Sequence, residues 1–366
     1  MENKQKERKD GVLGGSKTSY KNKLMGESKR RINSIDIFRY ICSVMVIAIH
    51  TAPFSDINEQ LGYVFSQIIP RIAVPFFFAV SGYFYMSKME NGNNCFFKYL
   101  KRLLSTYFIW SFLYYTIDYV TWGHENSINF ITQGIYRLII TGSHFHLWFF
   151  PALIFSVCIS TLLFKVKCKN ILIPLSIGLY IIGCLGCSYY EIGIKIPILQ
   201  NLFTSSYFEI IRRVLLMGFP FFVCGYLAYK IQYKLQGELK NITQLCIWIL
   251  SVAIWLIEIC IVRMLKFENN IIITFALYLL VVTTLWILIR NPLPECNKIV
   301  EKYRVLANFT YYSHPFWMMC VSFLASYLFG VNISATVLFV LILIITYIGG
   351  IIIYKLDNRY INQIVK

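Results

Sequence analysis

Polar and charged residues fill the first 31 positions, and from Ile32 onward they give way to long apolar runs separated by short basic or mixed stretches. Ten of these runs reach or approach the roughly 20 residues that an α-helix needs to cross a bilayer core. They cover 35–53, 68–86, 97–118, 144–164, 170–188, 210–229, 242–263, 270–290, 305–328 and 332–354. The pattern predicts an all-α polytopic membrane protein of about ten transmembrane helices. Pro75, Pro220 and Pro315 fall inside three of the runs. There a helix bends and neighbouring groups take up the freed carbonyl. Residues 1–31 hold ten Lys/Arg with Gly and Ser and little apolar content, which predicts a basic, disordered cytoplasmic tail. The long run after it has no small-residue cleavage site, so the tail is not read as a signal peptide.

Charge sets the orientation. Of the 35 Lys/Arg, 27 lie in the tail and in alternate connections, seven lie in the other connections and helix ends (Arg71, Arg137, Lys195, Arg212, Arg213, Arg263, Lys266), and one is Arg39. Positive residues concentrate on the cytoplasmic side, so both termini are expected there. The same distribution explains a formal charge of +17 without nucleic acid. With 57% hydrophobic and only 14% charged residues, the chain lacks the polar surface of a soluble domain of this size. The 11 cysteines lie mostly in apolar runs, where a thiol packs as a small hydrophobe. Cys184 and Cys187 form a CxxC with no second pair, so packing is expected rather than metal or redox use. An internal echo is visible between "VPFFFAVSGYFYMSK" (74–88) and "FPFFVCGYLAYK" (219–230). Both carry proline, aromatics and Gly-Tyr, the ingredients of close helix crossings.

Against this apolar background a few polar side chains stand out. "DIFRYICSVMVIAIH" (36–50) sets Asp36, Arg39 and His50 in the first run. The 11-residue step from Arg39 to His50, at about 100° per residue, ends about 20° past three full turns, and the two side chains are about 16 Å apart along the axis. Both therefore share one face. Asp36 is one turn before Arg39 and within pairing reach. Ionisable residues at membrane depth mark functional sites by default. "GSHFHLWFFPAL" (142–153) brings His144, His146 and Trp148 to the mouth of the fourth run, and "NFTYYSHPFW" (308–317) places Tyr311 and His314 directly before Pro315. His124 is expected to be solvated. The histidines lack HxxxH or HExxH spacing and have no accompanying carboxylate, so no metal is expected. Asn241, Asn308 and Asn332 open glycosylation triplets, a pattern that occurs at chance level.

Taken in order, "DIFRYICSVMVIAIH", "VPFFFAVSGYF", "HLWFFPAL" and "FTYYSHPF" resemble the acyltransferase-3 family of bacterial integral-membrane acyltransferases over about residues 32–355. Within that family the chain is similar to the membrane half of the serine racemases of vancomycin-resistant Gram-positive bacteria. The resemblance implies a multi-pass protein of the bacterial plasma membrane that moves an acetyl or acyl group from cytoplasmic acetyl-CoA, or another acyl-CoA, to an acceptor hydroxyl or amine. It implies that His50 is the general base or acyl carrier, with Asp36 and Arg39 in the catalytic group and Arg39 binding an anionic part of the donor. His146, Trp148, His314 and Tyr311 are expected to bind the substrate. The racemase likeness implies a second reading, in which the same polar track passes L-serine inward to a pyridoxal-phosphate racemase domain. Such a domain would follow residues 356–366; none is present before Lys366, so either a membrane half or a stand-alone protein is expected. A third reading is a membrane anchor whose motif residues are relics. The expected partners are the lipid bilayer, a small-molecule acceptor or L-serine, a fused racemase domain and a second copy as homodimer, with no nucleic acid.

Overall fold

The computed structural model describes residues 32–122, 127–234, 240–293 and 297–356. The basic tail 1–31, His124 and the chain beyond Leu356 lie outside the described residues. Among those described, the chain is all-helical and has no strand. Ten principal helices occupy the ten apolar runs: α1 Asn33–Thr51, α2 Ala73–Glu90, α3 Phe96–Trp122, α4 Phe149–Lys165, α5 Leu172–Leu185, α6 Phe219–Lys234, α7 Asn241–Met264, α8 Phe275–Arg290, α9 Asn297–Phe329 and α10 Ala335–Leu356. Among the described residues, five continuous helical stretches are long and apolar enough to cross a membrane: Asn33–Thr51, Glu59–Glu90, Phe208–Lys234, Asn241–Met264 and Ala335–Leu356. Phe149–Lys165, Lys169–Leu185 and Phe275–Arg290 are apolar but shorter. α3 and α9 are longer, at 27 and 33 residues, with polar side chains set among the apolar ones. The chain is a membrane protein, and each predicted run contains one of these helices.

Helix boundaries differ from the apolar runs at particular places. The fourth run was expected to be helical from His144, but α4 begins at Phe149. Gly142 turns the chain there with φ +90°, a conformation glycine adopts without strain. A Cβ at this position would lie 2.4 Å from the Trp148 amide nitrogen. Pro75 and Pro220 fall in the first turn of α2 and α6, where a missing amide donor costs little. The turns before these two helices are irregular, π-helical and 3₁₀ over Val64–Ile72 and π-helical over Arg212–Gly218. Only Pro315 sits deep inside a helix.

The centre of the bundle is the crossing of α2 and α6, which are the two halves of the internal echo. Both are buried on nearly every side. Their glycines make the crossing reciprocal. A Cβ on Gly82 would lie 1.8 Å from the Phe222 carbonyl oxygen, and one on Gly225 would lie 1.9 Å from the Ala79 carbonyl oxygen. Without side chains at these positions the backbones meet directly, as small residues allow in membranes. One end of the crossing is tied by Glu90, which accepts from Lys169 Nζ at 2.9 Å, Lys230 Nζ at 3.0 Å and the Tyr226 hydroxyl at 2.8 Å. At the periphery, α10 fully buries only Ile342, Thr346 and Gly350, one narrow stripe at a four-residue spacing, and leaves its other apolar side chains partly or fully exposed. That is the pattern of a helix with one protein face and one lipid face.

Candidate functional site

The stripe on α1 lies against α9. Near its start Arg39 donates through Nη2 to Asn308 Oδ1 at 3.0 Å, and Asp36 stands 3.8 Å from Arg39 Nη1. Near its end the His50 ring stacks on His314, with centroids 5.5 Å apart and planes at 20°. The shared face expected from helical arithmetic is therefore present, and α9 is the surface it meets. Asn308, noted in the sequence only as part of a glycosylation triplet, is the close partner of Arg39, and Asp36 is the more distant one.

Two cavities lie along this stripe. The first, about 100 Å³, is lined by Arg39, Arg102, Ser81, Tyr99 and Asn308. The second, about 270 Å³, is lined by His50, His146, Trp148, Arg71, Arg212 and Arg213 among others. Tyr311 lines both. Its ring packs edge-on to Phe77 at 5.5 Å and Phe149 at 5.9 Å, and its hydroxyl donates to the His146 carbonyl at 2.9 Å. A buried aromatic wall with Tyr311 at its centre thus lies between a chamber holding Arg39 and Arg102 and one holding His50, His146 and three further arginines.

His314 is fully buried behind the second cavity rather than in its lining. Pro315 has no amide proton, so the carbonyl four residues earlier, that of Tyr311, loses its helical donor. The His314 ring supplies it. Nδ1 lies 2.9 Å from the Tyr311 oxygen and 3.1 Å from the Thr310 oxygen. Two carbonyl acceptors require the proton on Nδ1, which leaves the lone pair on Nε2. The Nε2 atom is buried and has no hydrogen-bond partner in the protein. His314 also meets His146 edge-on at 5.4 Å. His146 and His144 approach through their Nδ1 atoms at 3.1 Å, and His144 stacks on Tyr114 at 4.5 Å. Four histidines from three chain segments thus form one ring cluster, of which His50 and His146 line the second cavity. Among the described residues no three His, Cys, Asp or Glu are arranged to hold a metal ion.

Of the residues singled out from the sequence, Arg39 lines the first cavity, Tyr311 both, and His50, His146 and Trp148 the second; Asp36 lines neither. The residues that sequence reasoning passed over are cationic. Arg102, Arg71, Arg212 and Arg213 entered it only as topology charges. An Arg-Arg pair inside the apolar stretch "EIIRRVLLMGF" was the available signal, because paired guanidiniums beside apolar residues need a reason to be there.

An all-helical membrane bundle whose first helix carries an arginine and a histidine on one face, with further histidines gathered beside the latter, has the architecture of an integral-membrane protein with a polar interior site. The family model of the acyltransferase-3 type, described as an acyltransferase domain, matches residues 32–355, and the chain belongs to that family. Among curated proteins it is similar to an amino-acid racemase of Enterococcus faecalis, 28% identical over 311 residues, covering 82% of this chain and 43% of the relative. It is also similar to a second Enterococcus faecalis amino-acid racemase, 32% identical over 53% of this chain and 27% of the relative. A serine/alanine racemase of Enterococcus gallinarum is 30% identical over 61% of this chain and 32% of the relative. The chain thus spans less than half the length of the curated relatives it matches. No solved structure matches it.

Proposed function

We propose that this chain is an acyltransferase of the bacterial plasma membrane that crosses it about ten times with both termini in the cytoplasm. It takes an acetyl or acyl group from a cytoplasmic acyl-CoA such as acetyl-CoA and delivers it to an acceptor hydroxyl or amine on the other side of the Tyr311 wall. The observation that carries this reading is the pair of cavities. Arg39 and Arg102 in the first suit the phosphates of the donor, and the imidazole of His50 in the second suits proton abstraction near neutral pH or transient carriage of the acyl group. Because Arg39 and His50 sit in different chambers, no single atom is reached by both. A long, thin donor arm passing Tyr311 joins them. His314 acts as a positioning residue, since its ring is fixed by two carbonyls and stacks on His50.

The racemase relatives favour a second reading, in which the same track carries L-serine toward a pyridoxal-phosphate domain following this one. Purified protein in nanodiscs with radiolabelled acetyl-CoA and a panel of hydroxyl and amine acceptors tests the first. Label transfer is expected, falling by 10²-fold or more in His50→Ala, the scale of a lost general base. Absence of transfer to every acceptor overturns it. Uptake of labelled L-serine into proteoliposomes that depends on His50 supports the second reading.

A further inference from the structure

The second cavity contains more positive charge than a histidine-based transfer requires. Arg71, Arg212 and Arg213 all line it, and one carboxylate, Glu209, answers them. Arg212 forms a bidentate pair with Glu209, Nε to Oε2 at 3.0 Å and Nη2 to Oε1 at 2.6 Å, and Arg213 Nε donates to the same Oε1 at 2.7 Å. Glu209 therefore offsets one of two adjacent guanidiniums. Arg212 is only 8% exposed, and its buried Nη1 has no oxygen acceptor. Arg71 hydrogen-bonds the Gln67 carbonyl at 3.0 Å and the Gln67 side-chain oxygen, both neutral. Three guanidiniums against one carboxylate leave two positive charges facing a cavity of about 270 Å³ that is open on one side, with Arg212 buried and Arg213 and Glu209 partly exposed. Excess positive charge gathered in a partly enclosed cavity favours a bound counter-charge.

The planes of these groups are also fixed. Arg213 lies over the Trp148 ring at 5.5 Å, and Arg212 is held by its fork on Glu209. Arginine presents paired N–H groups that match carboxylate and phosphate oxygens. His50 and His146 line the same cavity, so an anion held by the arginines leaves the rest of a small molecule against the imidazoles.

We propose that this cavity is an oxyanion subsite for the acceptor, so that the molecule receiving the acyl group, or being carried, bears a carboxylate or phosphate next to its reactive hydroxyl or amine. This deepens the reading of the acceptor side given above and rests on it for the identity of the reaction, while the binding itself is independent of acyl transfer.

Isothermal titration of the full chain in nanodiscs, with no acyl donor, tests the proposal with three probes: lactate (carboxylate), sn-glycerol 3-phosphate (phosphate) and glycerol (neutral). Lactate or glycerol phosphate is expected to bind and glycerol is not, and the stronger of the two anions assigns the subsite to a carboxylate or a phosphate. Arg71→Gln weakens the anion by about tenfold or more, the scale of one charge-assisted hydrogen bond. Glu209→Gln removes the offsetting carboxylate and tightens it. The opposite signs of the two variants separate an electrostatic subsite from general damage to the fold. Glycerol binding as tightly as glycerol phosphate, or anion binding that neither variant changes, overturns the proposal. Anion binding in a protein that transfers no acyl group preserves the subsite and overturns the acyltransferase reading instead.

Discussion

Replacing Gly225 by alanine adds a single methyl group at the tightest point of the bundle. The new Cβ would sit 1.9 Å from the Ala79 carbonyl oxygen and 2.5 Å from the Tyr83 amide nitrogen. Ordinary contact begins at 3.4 Å, so α2 and α6 must separate by 3.4 − 1.9 = 1.5 Å along that direction. The obstacles are backbone atoms of a packed helix, and no rotamer change relieves them. Overpacking of this kind costs typically about 1–3 kcal/mol and occasionally more, and displacing two central helices puts Gly225→Ala at about 3 kcal/mol. Gly178 on α5 is the control, because a Cβ there meets nothing within 4 Å and alanine raises helix propensity by roughly 0.5–1 kcal/mol. The assay is thermal unfolding of detergent-purified protein at a fixed scan rate, followed by tryptophan fluorescence. At roughly 2 °C or less per kcal/mol for a chain of this length, Gly225→Ala is expected to melt about 5 °C below the parent and Gly178→Ala at or slightly above it. A Gly225→Ala protein melting together with the parent refutes the claim that this crossing is a backbone-to-backbone contact.

Two further outcomes follow from carboxylates at helix starts. Glu258 accepts from the Phe275 and Ala276 amides at 2.7 and 2.6 Å and from the Tyr189 hydroxyl at 2.8 Å, so it caps α8 from α7. Glu258→Ala leaves those donors without an acceptor and should cost about 2–3 kcal/mol, read as a lower melting temperature with faster hydrogen exchange at Phe275 and Ala276. Asp56 bonds the hydroxyl and amide of Thr336 at the start of α10, and the hydroxyl bond foremost holds its carboxyl below the usual 3.8. A group depressed on folding contributes its stability above its unfolded pKa and loses it as pH falls through the folded one. Asp56→Asn is therefore expected to melt below the parent at pH 7, with the gap closing under acid conditions below pH 3.8. A gap unchanged between neutral and strongly acid pH refutes the assignment.

The parts of the molecule legible in the sequence were those that follow from one helix at a time. Apolar run length located all ten principal helices, and angular arithmetic placed Arg39 and His50 on one face. The echo "SGY…CGY" pointed to a close crossing, and the structure resolves it as the contact between the two echo helices themselves. The parts that depend on tertiary placement were not legible. Nothing local announces that Arg71 and the Arg212–Arg213 pair, more than 140 residues apart, line one cavity. They reach it from irregular turns ahead of α2 and α6, whose geometry periodicity does not encode. The helical start expected at His144 was displaced to Phe149 because Gly142 turns the chain. That turn frees both histidines to point inward rather than march around a helix.

The bond from His314 to the Tyr311 carbonyl ties the tautomer of the ring to the shape of α9. The ring replaces an amide that proline cannot offer, so its Nδ1 proton belongs to the backbone and is withdrawn from chemistry. His314 cannot surrender the Nδ1 proton without leaving the Tyr311 carbonyl bare. The ring is thereby held as one fixed tautomer, on which His50 stacks and which His146 meets edge-on.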